Sequence, residues 1–315
     1  TPCGTLFPYT TLFRSGTTRT AGVLVTLTTP GGGLVSGLSS AMNMEGWTWE
    51  DMALKDAAAM NVNWPNPNAG RGRFGGNRPS YEEQVQELKS FFAEARAYRD
   101  AVASGTEVLS DSRYEAMIPV LNREIPVIVS ANGIAEINDA ITWAEEEEID
   151  IAIRGGEDAI HVADRLVAND IPVILTSTMS PPGRQYEGYD GAYEMPARLY
   201  EAGVRFAISG GSGAAYTNRL PWEAGVAIAF GLPEEEAIRA VTQNAAEIMG
   251  IGDRVGTLEP GKDATLLVTT GNPLDMVNQI ESSYIQGREL DQMDIHRWFF
   301  EKYFAKILQM RSVVM

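Results

Sequence analysis

Ile125-Pro126-Val127-Ile128-Val129, Ile149-Asp150-Ile151-Ala152-Ile153, Ile171-Pro172-Val173-Ile174-Leu175 and Gly203-Val204-Arg205-Phe206-Ala207-Ile208 are short apolar runs that recur through the middle of the chain. Each gap has room for one amphipathic helix, as where Ala159, Val162, Ala163 and Leu166 fall at i, i+3, i+4 and i+7. β-Branched runs alternating with helices imply a parallel sheet buried on both faces. Pro126 and Pro172 sit near strand starts, where a missing N–H donor costs least.

Working outward, Gly22-Val23-Leu24-Val25-Thr26-Leu27 reads as a strand leading into a glycine turn at Gly31, Gly32 and Gly33. Residues 63–79 read as a long loop rich in Gly, Asn, Pro and Arg. Ser80 with Glu83 forms a capping box, opening a helix that buries Val85, Leu88, Phe92 and Ala95. Two helices are expected around 222–230 and 234–249. Val255 to Val268 reads as antiparallel strands around the Pro260-Gly261 turn, and Ile295 to Met310 as a closing helix with aromatic residues. A (β/α) barrel followed by a small β appendage accounts for this order. Strands near 22–28, 125–130, 149–154, 171–176 and 203–209 are expected to run parallel in one curved sheet.

The stretch Thr5 to Ser15 has no helical or strand period and none of the zones of a signal peptide. It matches one reading frame of a sequencing adaptor, so residues 1–15 are expected to be an assembly artefact that packs against nothing. The native gene, and any export signal, would then begin upstream.

The 315 residues carry 42 acids and 25 bases, a net charge of −17. That excess argues against nucleic-acid partners, because phosphate binding needs a basic surface. No apolar run approaches the roughly 18 residues of a membrane helix, so no membrane insertion is expected. A single cysteine, Cys3, excludes an internal disulfide framework and a Cys-rich metal site. Only two histidines are present, His161 and His296, and two isolated histidines read as structural or surface residues rather than ligands.

Several motifs dissolve on inspection. Gly256-x4-Gly261-Lys262 imitates a phosphate loop, but Asp263 stands where a hydroxyl is needed. Arg71-Gly72-Arg73-Phe74-Gly75-Gly76 is one RGG-like copy in an acidic chain and reads as a solvated loop. Ser36, Ser39 and Ser40 lack the Gly-x-Ser-x-Gly setting of a serine hydrolase. The Gly210-Gly211-Ser212-Gly213 loop after the last strand could cradle a phosphate with backbone N–H groups.

Leu220-Pro221-Trp222-Glu223-Ala224-Gly225, Ala240-Val241-Thr242-Gln243-Asn244-Ala245-Ala246 and Val255-Gly256-Thr257-Leu258-Glu259-Pro260-Gly261-Lys262-Asp263-Ala264 together resemble the amidohydrolase superfamily, in its imidazolonepropionase-like branch. Gly46-Trp47-Thr48-Trp49-Glu50 and Ser283-Tyr284-Ile285-Gln286-Gly287-Arg288 add to the likeness, which covers roughly residues 18 to 305. The resemblance implies an α/β fold, an incomplete TIM-like (β/α) barrel with a C-terminal β-sandwich remnant. It divides the chain into an N-terminally truncated barrel (16–250), sandwich strands (251–294) and a C-terminal helix (295–315).

It also implies chemistry: zinc or another divalent metal at the barrel mouth, held by histidines, often a Lys or Glu, and an aspartate. Such a metal lowers the pKa of bound water to roughly 7, which supplies hydroxide. Here the fifth-strand histidine falls on Ser130, the sixth-strand histidine on Gly155 and the eighth-strand aspartate on Gly211, while the fourth-strand Lys or Glu is not located. His-x-His would lie upstream of residue 16. Glycine offers no ligand atom and serine a poor one for zinc. No cofactor is therefore expected and no catalytic residue is assigned.

The family reading is a hydrolase of non-peptide C–N bonds in small cyclic amides or related compounds, with a degenerate metal site and open to being non-catalytic. The alternatives are a small-molecule-binding barrel, or a phosphate-binding enzyme using the 210–213 loop. Asn132, Thr176, Ser212, Asn218 and Arg219 are the further pocket candidates.

Overall fold

The computed structural model describes residues 16–67, 79–184, 187–210 and 216–314, with side chains through residue 309. The adaptor-like residues 1–15, the RGG-like loop, Gly211 and Ser212 lie outside the described residues.

Seven strands form one curled sheet in chain order: β1 (Val25–Thr28), β2 (Val35–Asn43), β3 (Ala53–Asn63), β4 (Val127–Ala131), β5 (Ile151–Gly155), β6 (Val173–Leu175) and β7 (Phe206–Ile208). β3 to β7 are parallel, and β4 to β7 carry the apolar, largely β-branched runs that suit a sheet buried on both faces. β1 runs in the same direction as β3 to β7 in this sheet, as expected, but pairs with none of them: β2, a strand not expected from the sequence, lies antiparallel between β1 and β3. β2 and β3 carry too much Ser, Ala, Gly and Asn to read as strands by composition. Side-chain hydrogen bonds link them: Asn61 Nδ2 donates to Gly37 O and Ser39 Oγ, and Asn63 Nδ2 to Gly33 O and Ser36 Oγ.

The helices α1 (Tyr81–Ala103), α2 (Ile134–Glu147), α3 (Ala163–Ala168), α4 (Gly191–Glu201), α5 (Leu220–Ala229) and α6 (Glu234–Val241) pack on the convex face. Val127, Val129, Ile151, Ile153, Val173, Leu175, Phe206 and Ile208 point to that side and share one core with Leu88, Phe92, Ile141, Trp143, Leu166 and Leu199. The Ser80 capping box is formed, with Glu83 N–H on Ser80 Oγ at 3.1 Å and Ser80 N–H on Glu83 Oε2 at 2.7 Å. The helix expected over 234–249 is broken at Thr242 (φ −124°, ψ −86°) into α6 and α7 (Gln243–Ile248). That break turns α7 beneath the concave face, where Ala245 and Ile248 cover Ala59, Ile128, Ala152 and Ala207.

A second sheet follows: β8 (Leu266–Thr269), β9 (Ile280–Ile285) and β10 (Arg288–Glu289), all antiparallel. The expected strand pair within 255–268 is not there. Residues 255–265 form a loop pinned by Arg254–Asp263 (2.8 Å) and by Asp263 N–H on Arg254 O (2.8 Å), and β8 takes β9 as its partner. Leu24 packs between Leu267, Ile285 and Leu290, which ties the start of the barrel to this sheet. α8 (Ile295–Val314) closes the chain with its aromatic side chains exposed.

Candidate functional site: the concave mouth of the half-barrel

Strand alternation assigns the side chains of the mouth. Since Val127, Val129, Ile151 and Ile153 face the helices, Ser130 and Arg154 face the concavity. The register sets them side by side: Asn63 opposite Ser130, Ser130 opposite Arg154, Arg154 opposite Ile174, and Ile174 opposite Ala207. Thr176 and Ser209, one residue past β6 and β7, continue this row. Below it lies the apolar floor that α7 covers; above it Ser130, Arg154, Thr176 and Ser209 are half-buried. The mouth is a rim of hydroxyls and one guanidinium over an aliphatic floor.

Gly155 belongs elsewhere. It ends β5 with φ +99°, and Gly156 follows at φ +66°, so the chain leaves the strand through a left-handed pair. A Cβ at position 155 would run into Asn132 Oδ1, with Asn132 Cγ at 3.1 Å and Ala131 O at 3.3 Å. Asn132, itself exposed, occupies the space a sixth-strand ligand would need, and the residue beside Ser130 is Arg154. β3 is the parallel strand before β4, so the fourth-strand position falls among Asn61 and Asn63, both neutral amides.

The loops over the mouth are held by two buried carboxylates that composition alone does not single out. Glu223 at the start of α5 is 3% exposed and accepts from Thr178 N–H (2.6 Å), Thr178 Oγ1 (2.8 Å), Met179 N–H (3.2 Å) and Ser177 Oγ (3.2 Å). Asp158, after β5, takes Arg184 bidentately at 2.8 and 2.9 Å and accepts from Ile134 N–H at 3.3 Å. The chain after β6 is thereby clamped to β5 and to the first turn of α2. Both acids are consumed in holding loops, which leaves neither free as a base.

Of the remaining candidates, Asn218 is half-buried and Arg219 exposed in the turn Thr217–Arg219, with the Arg219 guanidinium 4.4 Å above the Tyr216 ring. Gly210 packs against the backbone of Thr217, where a Cβ would meet Thr217 O at 2.7 Å; the rest of the glycine loop is outside the described residues. His161 is exposed on the turn Ala159–Val162, and His296 is exposed at the start of α8. Among the described residues no three His, Cys, Asp or Glu side chains stand close enough to hold a metal ion. The undescribed segments contain no His, Asp or Glu. A zinc site of the kind the resemblance implies does not fit these residues.

The comparisons agree with this architecture. The amidohydrolase family model matches residues 188–289. A solved amidohydrolase from Thermotoga maritima MSB8 superposes with a TM-score of 0.79 at 26% identity, covering 89% of this chain and 75% of its own. The chain is similar to the amidohydrolase superfamily, in fold over most of its length and in sequence over residues 188–289. Among curated relatives, the imidazolonepropionase of Syntrophobacter fumaroxidans (strain DSM 10017 / MPOB) is 39% identical over 82 residues, 25% of this chain. Amidohydrolase tasK of Hapsidospora irregularis is 26% identical over 191 residues, 57% of the chain. Each match spans 19% of that relative's length. Among the described residues no helix is long and apolar enough to cross a membrane.

Proposed function

We propose that this chain is a ligand-binding member of its superfamily, whose concave mouth takes small C–N-bonded molecules without metal-activated hydrolysis. The observation that carries this reading is the end of β5, where a left-handed Gly155 and the Asn132 side chain fill the place of a metal ligand. Ser130 beside it offers a hydroxyl, and Arg154 adds a positive charge that opposes a divalent cation. Without a preformed set of three ligands, metal affinity falls, because each missing donor must be replaced by water.

The test is metal content. Protein prepared with zinc or manganese and then desalted should hold well under one equivalent, and EDTA should leave its melting temperature unchanged. One tightly bound equivalent, lost to EDTA together with turnover of a small amide, would return the chain to the hydrolases.

A further inference from the structure

Eight arginines are half-buried among the described residues: Arg19, Arg96, Arg99, Arg154, Arg165, Arg184, Arg205 and Arg254. Seven of them meet a carboxylate, respectively Glu45, Glu147, Asp100, Glu145, Asp158, Asp170 and Asp263. Arg154 is the exception, with no ion pair and no side-chain hydrogen bond to the described residues. A guanidinium has five donors and does not lose its proton, so partial burial without an acceptor is unfavourable. The chain holds 42 acidic residues, and none is placed against this one.

Its neighbours are neutral donors. Ser130 adjoins Arg154 in register, and Thr176 and Ser209 extend the same rim; none of the three side chains bonds to a described residue. On the same face Asn61 is 5% exposed, and its Oδ1 is buried without a hydrogen-bond partner while its Nδ2 is engaged twice. Asn61 stands one row deeper, opposite Ile128, and β3 and β5 are two strand spacings apart, so the two backbones are roughly 12 Å apart at these positions. The mouth thus presents a cation beside hydroxyls on its rim and an orphaned acceptor at the level of its floor.

We infer that Arg154 is the anchor of a binding site for a small monocarboxylate that also bears an N–H or O–H donor, the carboxylate on Arg154 and the donor directed toward Asn61. A planar carboxylate matches the guanidinium fork, and one negative charge balances one cation. A phosphate dianion would leave excess negative charge in a chain of net charge −17. This inference rests on the ligand-binding reading and names the class of ligand.

The probes are N-acetylglycine, its neutral counterpart N-acetylglycinamide, and inorganic phosphate at matched ionic strength, each followed by calorimetric titration of the whole chain. N-acetylglycine should bind at least about tenfold more tightly than the amide, the size expected of a charge-assisted contact. Arg154→Gln should abolish that difference and Arg154→Lys should retain part of it. Without ligand, Arg154→Gln should melt at or above the temperature of the unmodified chain, since no native contact is lost; this also shows that the variant folds. Equal binding of acid and amide, or a preference that survives Arg154→Gln, overturns the Arg154 assignment and leaves the ligand-binding reading standing. Tighter binding of phosphate replaces the carboxylate. No heat from any probe overturns the assignment, whereas hydrolysis of N-acetylglycine with bound metal overturns the reading beneath it.

Discussion

Replacing Gly155 by Ala isolates the feature on which the metal argument turns. Two terms oppose the methyl group. The φ of +99° is outside the range L residues adopt, a strain of roughly 1–2 kcal/mol by analogy with the left-handed region. The Cβ also overlaps Asn132 Oδ1, and overpacking of this kind costs about 1–3 kcal/mol. Together Gly155→Ala should lose roughly 2–5 kcal/mol, or about 4–10 °C in melting temperature for a chain of this size. Two other glycines separate the terms. Gly203 has φ +76° but open space around its Cβ, so Gly203→Ala reports backbone strain alone; Gly191 has neither hindrance and should tolerate Ala. Asn132→Gly combined with Gly155→Ala should recover the steric part and keep the backbone part, a coupling visible in a double-mutant cycle from urea denaturation. If Gly155→Ala is as benign as Gly191→Ala, the space at the end of β5 is free, and a histidine there could reach a metal after all.

Other parts of the mouth and its surroundings make further expectations. Glu223→Ala leaves Thr178 N–H and Ser177 Oγ without their acceptor, while Thr178 Oγ1 keeps Glu223 O and Met179 N–H keeps Ser177 Oγ, so it should destabilise by about 1–3 kcal/mol in denaturant titration, with Glu223→Gln losing less. Burial, and then the hydrogen bond to Asp139 at 2.5 Å, push the Tyr81 phenol up to about 12. Its folded value exceeds the unfolded one, so its stabilising contribution is complete below pH 10 and is lost as pH rises through about 12. Tyr81→Phe should flatten that alkaline fall, read by phenolate absorbance and melting in parallel. On α8, Phe300 and Tyr303 are 68% and 54% exposed, so Trp298 fluorescence should be freely quenched by acrylamide; strong protection would show that this face is covered in solution.

The parallel strands β4 to β7 were legible because burial on both faces leaves β-branched runs between helices. The meander was not. Ala53–Asn63 is dominated by Ala and Asn, whose preference for a strand comes from pairing with β2 and from the Asn61 and Asn63 side-chain bonds, which are contacts across 22 to 30 residues of chain. Candidate site residues divide the same way. Ser130 was found by matching a family pattern, and the register puts it on the concave face. Arg154 was not among the sequence candidates: it directly follows the 149–153 run, and only the absence of a carboxylate partner gives it meaning, which requires the fold. Glu223 lay within a recognised motif, with no signal in the sequence that its carboxylate would be saturated by the 177–179 loop.

The geometry at β5 also decides how far chemistry could be restored by side-chain exchange. In a regular strand the residue after Arg154 would face the helices, so a ligand at position 155 reaches the mouth only where the chain turns out of the strand. Here that turn is made by Gly155 and Gly156, both left-handed, and a Cβ at Gly156 would stand 2.8 Å from Val173 Cγ1. Reinstating Ser130→His, Gly155→His and Gly211→Asp therefore supplies imidazoles without the backbone that would aim them. The triple variant should lose stability through position 155 and gain little zinc, while Ser130→His alone, on a regular strand and facing the concavity, should fold. Relieving Asn132→Gly within the triple variant is the discriminating step. A rise in bound zinc on that change, measured after desalting, would mean that only the Asn132 side chain stands between this mouth and a metal; no rise would place the barrier in the backbone turn itself.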